Sequence, residues 1–151
     1  MGDVDIQAAL IRTLDSHWRI GAGVRLLAPT ADAVIASGKW QIMPGAAVRY
    51  AWRDLSPGSY VEPLIRYDVS FAGDPAKRNI GNLQFAPTFN IGLRERWFFT
   101  FYPSPDIRVN YSDPATGQTG RLFLPFDARL GRTSTDNFTA SLEIGVPIIK
   151  D

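Results

Sequence analysis

One stretch constrains the chain most: Gly38-Lys39-Trp40-Gln41-Ile42-Met43-Pro44-Gly45-Ala46-Ala47-Val48-Arg49-Tyr50-Ala51-Trp52. Trp40, Ile42, Pro44, Ala46, Val48, Tyr50 and Trp52 fall on one parity. Gln41, Met43, Gly45, Ala47, Arg49 and Ala51 fall on the other. Alternation sustained over this length specifies an extended strand, because successive side chains leave opposite sides of the pleat. One face is apolar and closed by Trp at both ends. The other is small and polar, with an Arg in it.

The pattern recurs along the chain and predicts about eight strands: 4–14, 18–29, the stretch above, 59–71, 82–94, 97–111, 121–132 and 137–149. The punctuation between them alternates. Short turns near Asp15, Asp54, Glu95 and Asp136 alternate with longer connections near Asp32, Asp74 and Pro114; the first of these, 30–38, is Ala-rich enough to hold a helical turn. This places short turns at one end of an up-and-down arrangement and long loops at the other, the asymmetry of outer-membrane barrels. The expectation is an all-β, antiparallel up-and-down β-barrel of about eight strands, a single domain over 1–151. Met1-Gly2-Asp3 reads as a start placed ahead of a mature or truncated chain, so N-terminal strands of a longer parent are expected to be missing. No secretory leader is read in the sequence.

Composition bears on which way the faces point. The chain has 16 basic and 15 acidic residues, too balanced for a nucleic-acid footprint. Among the bases only Lys39, Lys77 and Lys150 are Lys; Arg is favoured where a charge is partly buried and paired. The absence of Cys removes disulfides and thiol chemistry. No apolar run is long enough for a membrane helix, but alternating strands cross a bilayer with near-neutral mean hydropathy, here -0.08.

Three features put the apolar face outward. The polar parity is crowded with Gly and Ala, as a narrow interior demands. It carries both signs of charge within strands, at Arg49, Glu62, Arg66, Asp68, Arg94, Asp106, Arg108, Asp127, Arg129 and Glu143, which an interior must pair because lone buried charges are costly. Aromatics gather at strand ends: Trp18, Tyr50, Trp52, Trp97 and Phe138 at the short-turn end, and Trp40, Phe71, Phe85 and Tyr111 at the long-loop end. Two such belts suit the two interfaces of a bilayer. The competing expectation is a soluble β-barrel with the same aromatics lining a cavity for a hydrophobic ligand. Pro44, Pro63, Pro87, Pro103, Pro105, Pro125 and Pro147 lie inside the expected strands. Either fold must therefore carry bulges or unpaired positions, or the sixth strand breaks at Pro103-Ser104-Pro105.

Ala36-Ser37-Gly38-Lys39-Trp40 with Pro44, then Ser70-Phe71-Ala72-Gly73-Asp74, then Asn82 with Gln84 and Pro87, resembles the bacterial outer-membrane proteins named for the meta-pathway of phenol degradation. The resemblance runs from about Trp18 to the C-terminus on short motifs. It implies a bacterial outer-membrane barrel, a non-enzymatic transporter or channel for small hydrophobic or aromatic compounds, with the lipid bilayer as its partner. The chain is short for that family and lacks a terminal aromatic, ending Ile148-Ile149-Lys150-Asp151.

Other chemistry finds little footing. Asp15, Ser16 and His17 could be read as a hydrolytic set of a lipid-modifying enzyme, but adjacent turn residues rarely reach triad geometry, and turn chemistry is the expectation. One His and no Cys leave no transition-metal set, and Asp74 and Asp113 with their neighbours are too few for a Ca²⁺ cage; no cofactor is expected. Asn110-Tyr111-Ser112 and Asn137-Phe138-Thr139 match glycosylation acceptors only by their short pattern. The charges of the small face are the constellation to test: they either shape a path for a small solute or only fill and pair the lumen.

Overall fold

A computed structural model describes residues 2–31, 37–103, 106–112 and 122–150. The expected helical turn around Asp32, the third long loop with Asp113 and Pro114, the strand start at Arg121 and the pair Ser104-Pro105 lie outside the described residues.

The chain is one antiparallel sheet: β1 (Val4–Thr13), β2 (Trp18–Ala28), β3 (Lys39–Ala51), β4 (Tyr60–Gly73), β5 (Gly81–Gly92), β6 (Trp97–Tyr102), β7 (Ile107–Asn110), β8 (Leu122–Thr135) and β9 (Phe138–Lys150). Each strand pairs with the next, except that β6 and β7 lie end to end between β5 and β8 and pair with both. The expected sixth strand is therefore broken beyond Tyr102 and resumes at Ile107, so nine strands make eight crossings. The short connections 14–17, 93–96 and 136–137 sit at one end. The expected asymmetry is incomplete, because the connection at that end after β3 runs from 52 to 59 and is longer than 74–80 at the other.

Prolines interrupt the ladder where the sequence requires it. The β3–β4 register lacks the pairs that would include Pro44 and Pro63. Pro63 faces Pro87, and Pro125 faces Pro147, next to a register shift at Leu124/Pro125. β5 passes from β6 to β7 across the gap between Phe89 and Phe85, where Pro87 sits. Residues without an N–H are thus opposite each other or opposite a break, so few carbonyls lose a donor.

Burial is inverted relative to a water-soluble sheet. Among the described residues the only buried hydrophobic side chain apart from Pro103 and Pro125 is Met43, whereas Lys39, Gln41, Ser59, Asp68, Asn82, Asn90, Thr100, Asn110 and Asp127 are buried. On β3 the exposed residues Trp40, Ile42, Pro44 and Ala46 alternate with buried Lys39, Gln41 and Met43. The small polar face is the inner, concave one: Arg66 on β4 reaches across β5 to Asp106 between β6 and β7, and Arg25 on β2 lies within electrostatic range of Asp68 and Asp106.

The expected closure into a ring of eight strands is not found. Among the described residues no pairing joins β1 to β9, and both strands are exposed along their length. The contents of the inner face account for this. Tyr60, Phe98, Tyr102 and Phe123 share it with several Arg, and eight strands enclose little more than the volume of ordinary side chains.

Candidate functional site: the charged concave face

Register decides which inner-face residues meet. Ala9, Gly23, Gly45, Arg66, Gln84, Arg108 and Phe123 form one lateral row across seven strands. Small residues on β1–β3 leave room for the long side chains of β4–β8. A Cβ at Gly45 would stand 2.7 Å from Cγ of Arg66, so this glycine lets the arginine lie flat across the strand. A second row runs Ala51, Tyr60, Asn90, Thr100, Arg129 and Glu143.

Three groups of charge result. Arg49 Nε lies 3.3 Å from Glu62, and its guanidinium covers the Tyr60 ring at 3.4 Å. Arg129 Nε donates to Glu143 at 3.2 Å, and Nη2 donates to the Tyr102 hydroxyl; its guanidinium stands 4.6 Å above the Tyr102 ring. In the third group Arg66 pairs with Asp106, while Arg25 Nε donates to Asp5 at 2.6 Å. Asp68 is buried there beside Asn82, whose amide donates to it at 3.4 Å. Asp68 Oδ1, Asn82 Oδ1 and Arg66 Nε are buried without a protein partner. Polar atoms buried in that way call for water or a polar solute between them. Each Arg presents a planar fork and a stackable face, so one side chain both pairs with an acid and covers an aromatic ring, which Lys does not do.

Of the expected charge set, Arg49, Glu62, Arg66, Asp106, Arg129 and Glu143 are thus in ion pairs. Arg108 stands 5.7 Å over the Phe123 ring. Asp127 is buried, and the missing Cβ of Gly145 leaves space for its carboxylate. Arg94 does not belong to the set. It sits exposed in the 3-10 turn Arg94–Arg96, where Glu95 and Arg96 have positive φ (56° and 63°). The alternation in the sequence continues two residues past the end of β5 at Gly92, so the expected strand end at 94 is corrected to 92.

Arg25, Asp5, Tyr60, Tyr102 and Asn82 also belong to the face. Their parity was visible in the sequence, but their partners were not, because pairing depends on register between distant strands.

The aromatics lie at the strand ends. Trp18 meets Tyr50 at 4.7 Å and Trp40 meets Phe71 at 6.4 Å between ring centroids. Trp52 meets Phe89 edge-on at 6.2 Å, Trp97 lies under the Arg132 guanidinium, and Tyr111 is exposed. In the 14–17 turn, Asp15 Oδ1 accepts the backbone N–H groups of His17 (2.6 Å) and Trp18 (2.8 Å), while Ser16 Oγ meets His17 Nδ1 at 2.9 Å. Asp15 therefore addresses the backbone rather than the imidazole, which is the arrangement of a turn.

Comparison with protein-family models, with curated proteins and with solved structures found no match. The resemblance to the phenol meta-pathway proteins rests on its short motifs alone.

Proposed function

We propose that this chain forms the wall of a bacterial outer-membrane β-barrel, non-enzymatic, with its charged concave face lining a passage for small solutes. The observation that carries this is the inverted burial. Leu10, Ile65, Phe85, Leu142, Ile144 and Ile148 are exposed on one side while Asp68, Asn82, Asn90 and Asp127 are buried on the other. Sheltering one such apolar side chain from water contributes about 1.5–3 kcal/mol. Leaving a whole face of them in water would forfeit a sum comparable to the entire stability of a domain, about 5–15 kcal/mol. Lipid removes that penalty. The aromatic ends and the long apolar strands support the same reading.

A lipid setting also requires every strand edge to be paired, so β1 and β9 must be joined by further strands, from a longer chain or a second copy. A ring widened in this way holds water between its charged groups. The Arg and carboxylate pairs favour polar solutes in that water. The hydrophobic or aromatic compounds implied by the resemblance would leave sideways along the apolar wall.

The test is folding with and without detergent, followed by far-ultraviolet circular dichroism and size exclusion. Sheet signal and a discrete species only in micelles are the expected result. A monodisperse folded species in plain buffer would overturn the proposal and make the aromatics the walls of a ligand cavity.

A further inference from the structure

At the long-connection end, β4, the 74–80 connection and the end of β7 enclose an open pocket of about 860 Å³. Its cations are Lys39, Lys77 and Arg78, and none of the described residues that line it is Asp or Glu. Two of the three lysines in the whole chain are here. Lys39 is only 6% exposed, and no ion pair reaches its ammonium among the described residues. Arg78 Nη1 is buried with no hydrogen-bond partner. A buried guanidinium N–H without a partner is costly, and with a second cation, Lys39, lining the same pocket the cost is relieved when an anion enters.

The pocket is also built rather than accidental. Gly73 has φ +126°, and a Cβ there would collide with the Gly38 carbonyl and Lys39 Cα; the Asp74 N–H donates to Gly38 O at 2.8 Å. Gly38, at φ +68°, gives its side-chain space to the Lys77 stem. These two glycines bring the entry of β3 against the exit of β4, and so set Lys39 beside the connection that carries Lys77 and Arg78. Asp74 Oδ1 accepts the Ala76 N–H at 2.8 Å, and Asp74 is not among the residues that line the pocket. The Tyr67 ring, which lines the pocket, adds a hydroxyl.

We propose that this pocket binds a phosphate group, held by the Lys39 ammonium and the Arg78 guanidinium. A dianion matches the excess of positive charge better than a carboxylate does, and Arg offers phosphate a bidentate fork. The phosphate can arrive free or on a lipid headgroup. The proposal does not depend on which way the apolar face points.

The experiment is calorimetric titration of the folded chain in neutral maltoside micelles. The probes are inorganic phosphate and a short-chain phosphatidic acid, with short-chain phosphatidylcholine as the control lipid. Saturable binding of either phosphate probe is expected, with Lys39→Met and Arg78→Gln each weakening it by about tenfold or more. Arg53→Gln, in the turn at the opposite end, should bind as the parent chain does. Binding of phosphatidic acid without inorganic phosphate identifies a headgroup site; binding of both identifies a site for phosphate itself. Arg78→Gln lies outside the strands, so it reads the site even if Lys39→Met does not fold. No binding of either probe, or undiminished binding by Arg78→Gln, would overturn the proposal.

Discussion

Gly145 shows how narrowly the inner face is fitted. A Cβ added there would lie 1.9 Å from Oδ1 of buried Asp127. The carboxylate would have to move, and it is not free to leave its pocket without losing its own interactions. Gly145→Ala should therefore destabilise by about 1–3 kcal/mol, as overpacking does, seen as a lower urea midpoint for unfolding from micelles. Gly21→Ala is the matched control, because its added methyl finds its nearest atoms at 3.5 and 3.6 Å, and its midpoint should barely change. The parity of such glycines is legible in the sequence; the collision is not, since Asp127 becomes the neighbour of Gly145 only through the β8–β9 register. For the same reason Arg66 gave no hint that its acid would be Asp106 rather than Glu62 or Asp68.

At the scale of the element, turn chemistry carries its own pH dependence. The Asp15 carboxyl is held below the ordinary Asp value, first by the His17 N–H and then by the Trp18 N–H. A carboxyl depressed by folding contributes stability that is complete above its unfolded value, about pH 3.9, and that fades as pH falls through the lower folded value. Asp15→Ala should thus cost the same at pH 5 and pH 7 and progressively less below about pH 4. Urea midpoints for parent and variant across this range check it. Strand positions were largely readable from alternation alone, and the prolines announced trouble in the ladder. Alternation could not say that Pro63 would face Pro87 or that β6 and β7 would share one lane. It also ran past Gly92, because Leu93 and Arg94 keep the phase although the chain has already turned. Positive φ at Glu95 and Arg96 leaves no signature, as neither residue type favours it.

At the scale of the whole molecule, the sheet joins an apolar convex face to a charged concave one and leaves β1 and β9 open. The sequence carries the two faces as a period of two. It does not carry closure, which depends on curvature summed over all eight crossings and on the volume of the inner side chains. We propose that the convex face meets lipid and the concave face meets water. A nitroxide scan from Gln41 to Val48 tests it, since the parent chain has no Cys to interfere. In bilayers, collision with oxygen should peak at Ile42, Pro44, Ala46 and Val48, and collision with a water-soluble nickel chelate should peak at Gln41, Met43, Gly45 and Ala47. The opposite phase, or the same accessibility at every position, would contradict the account.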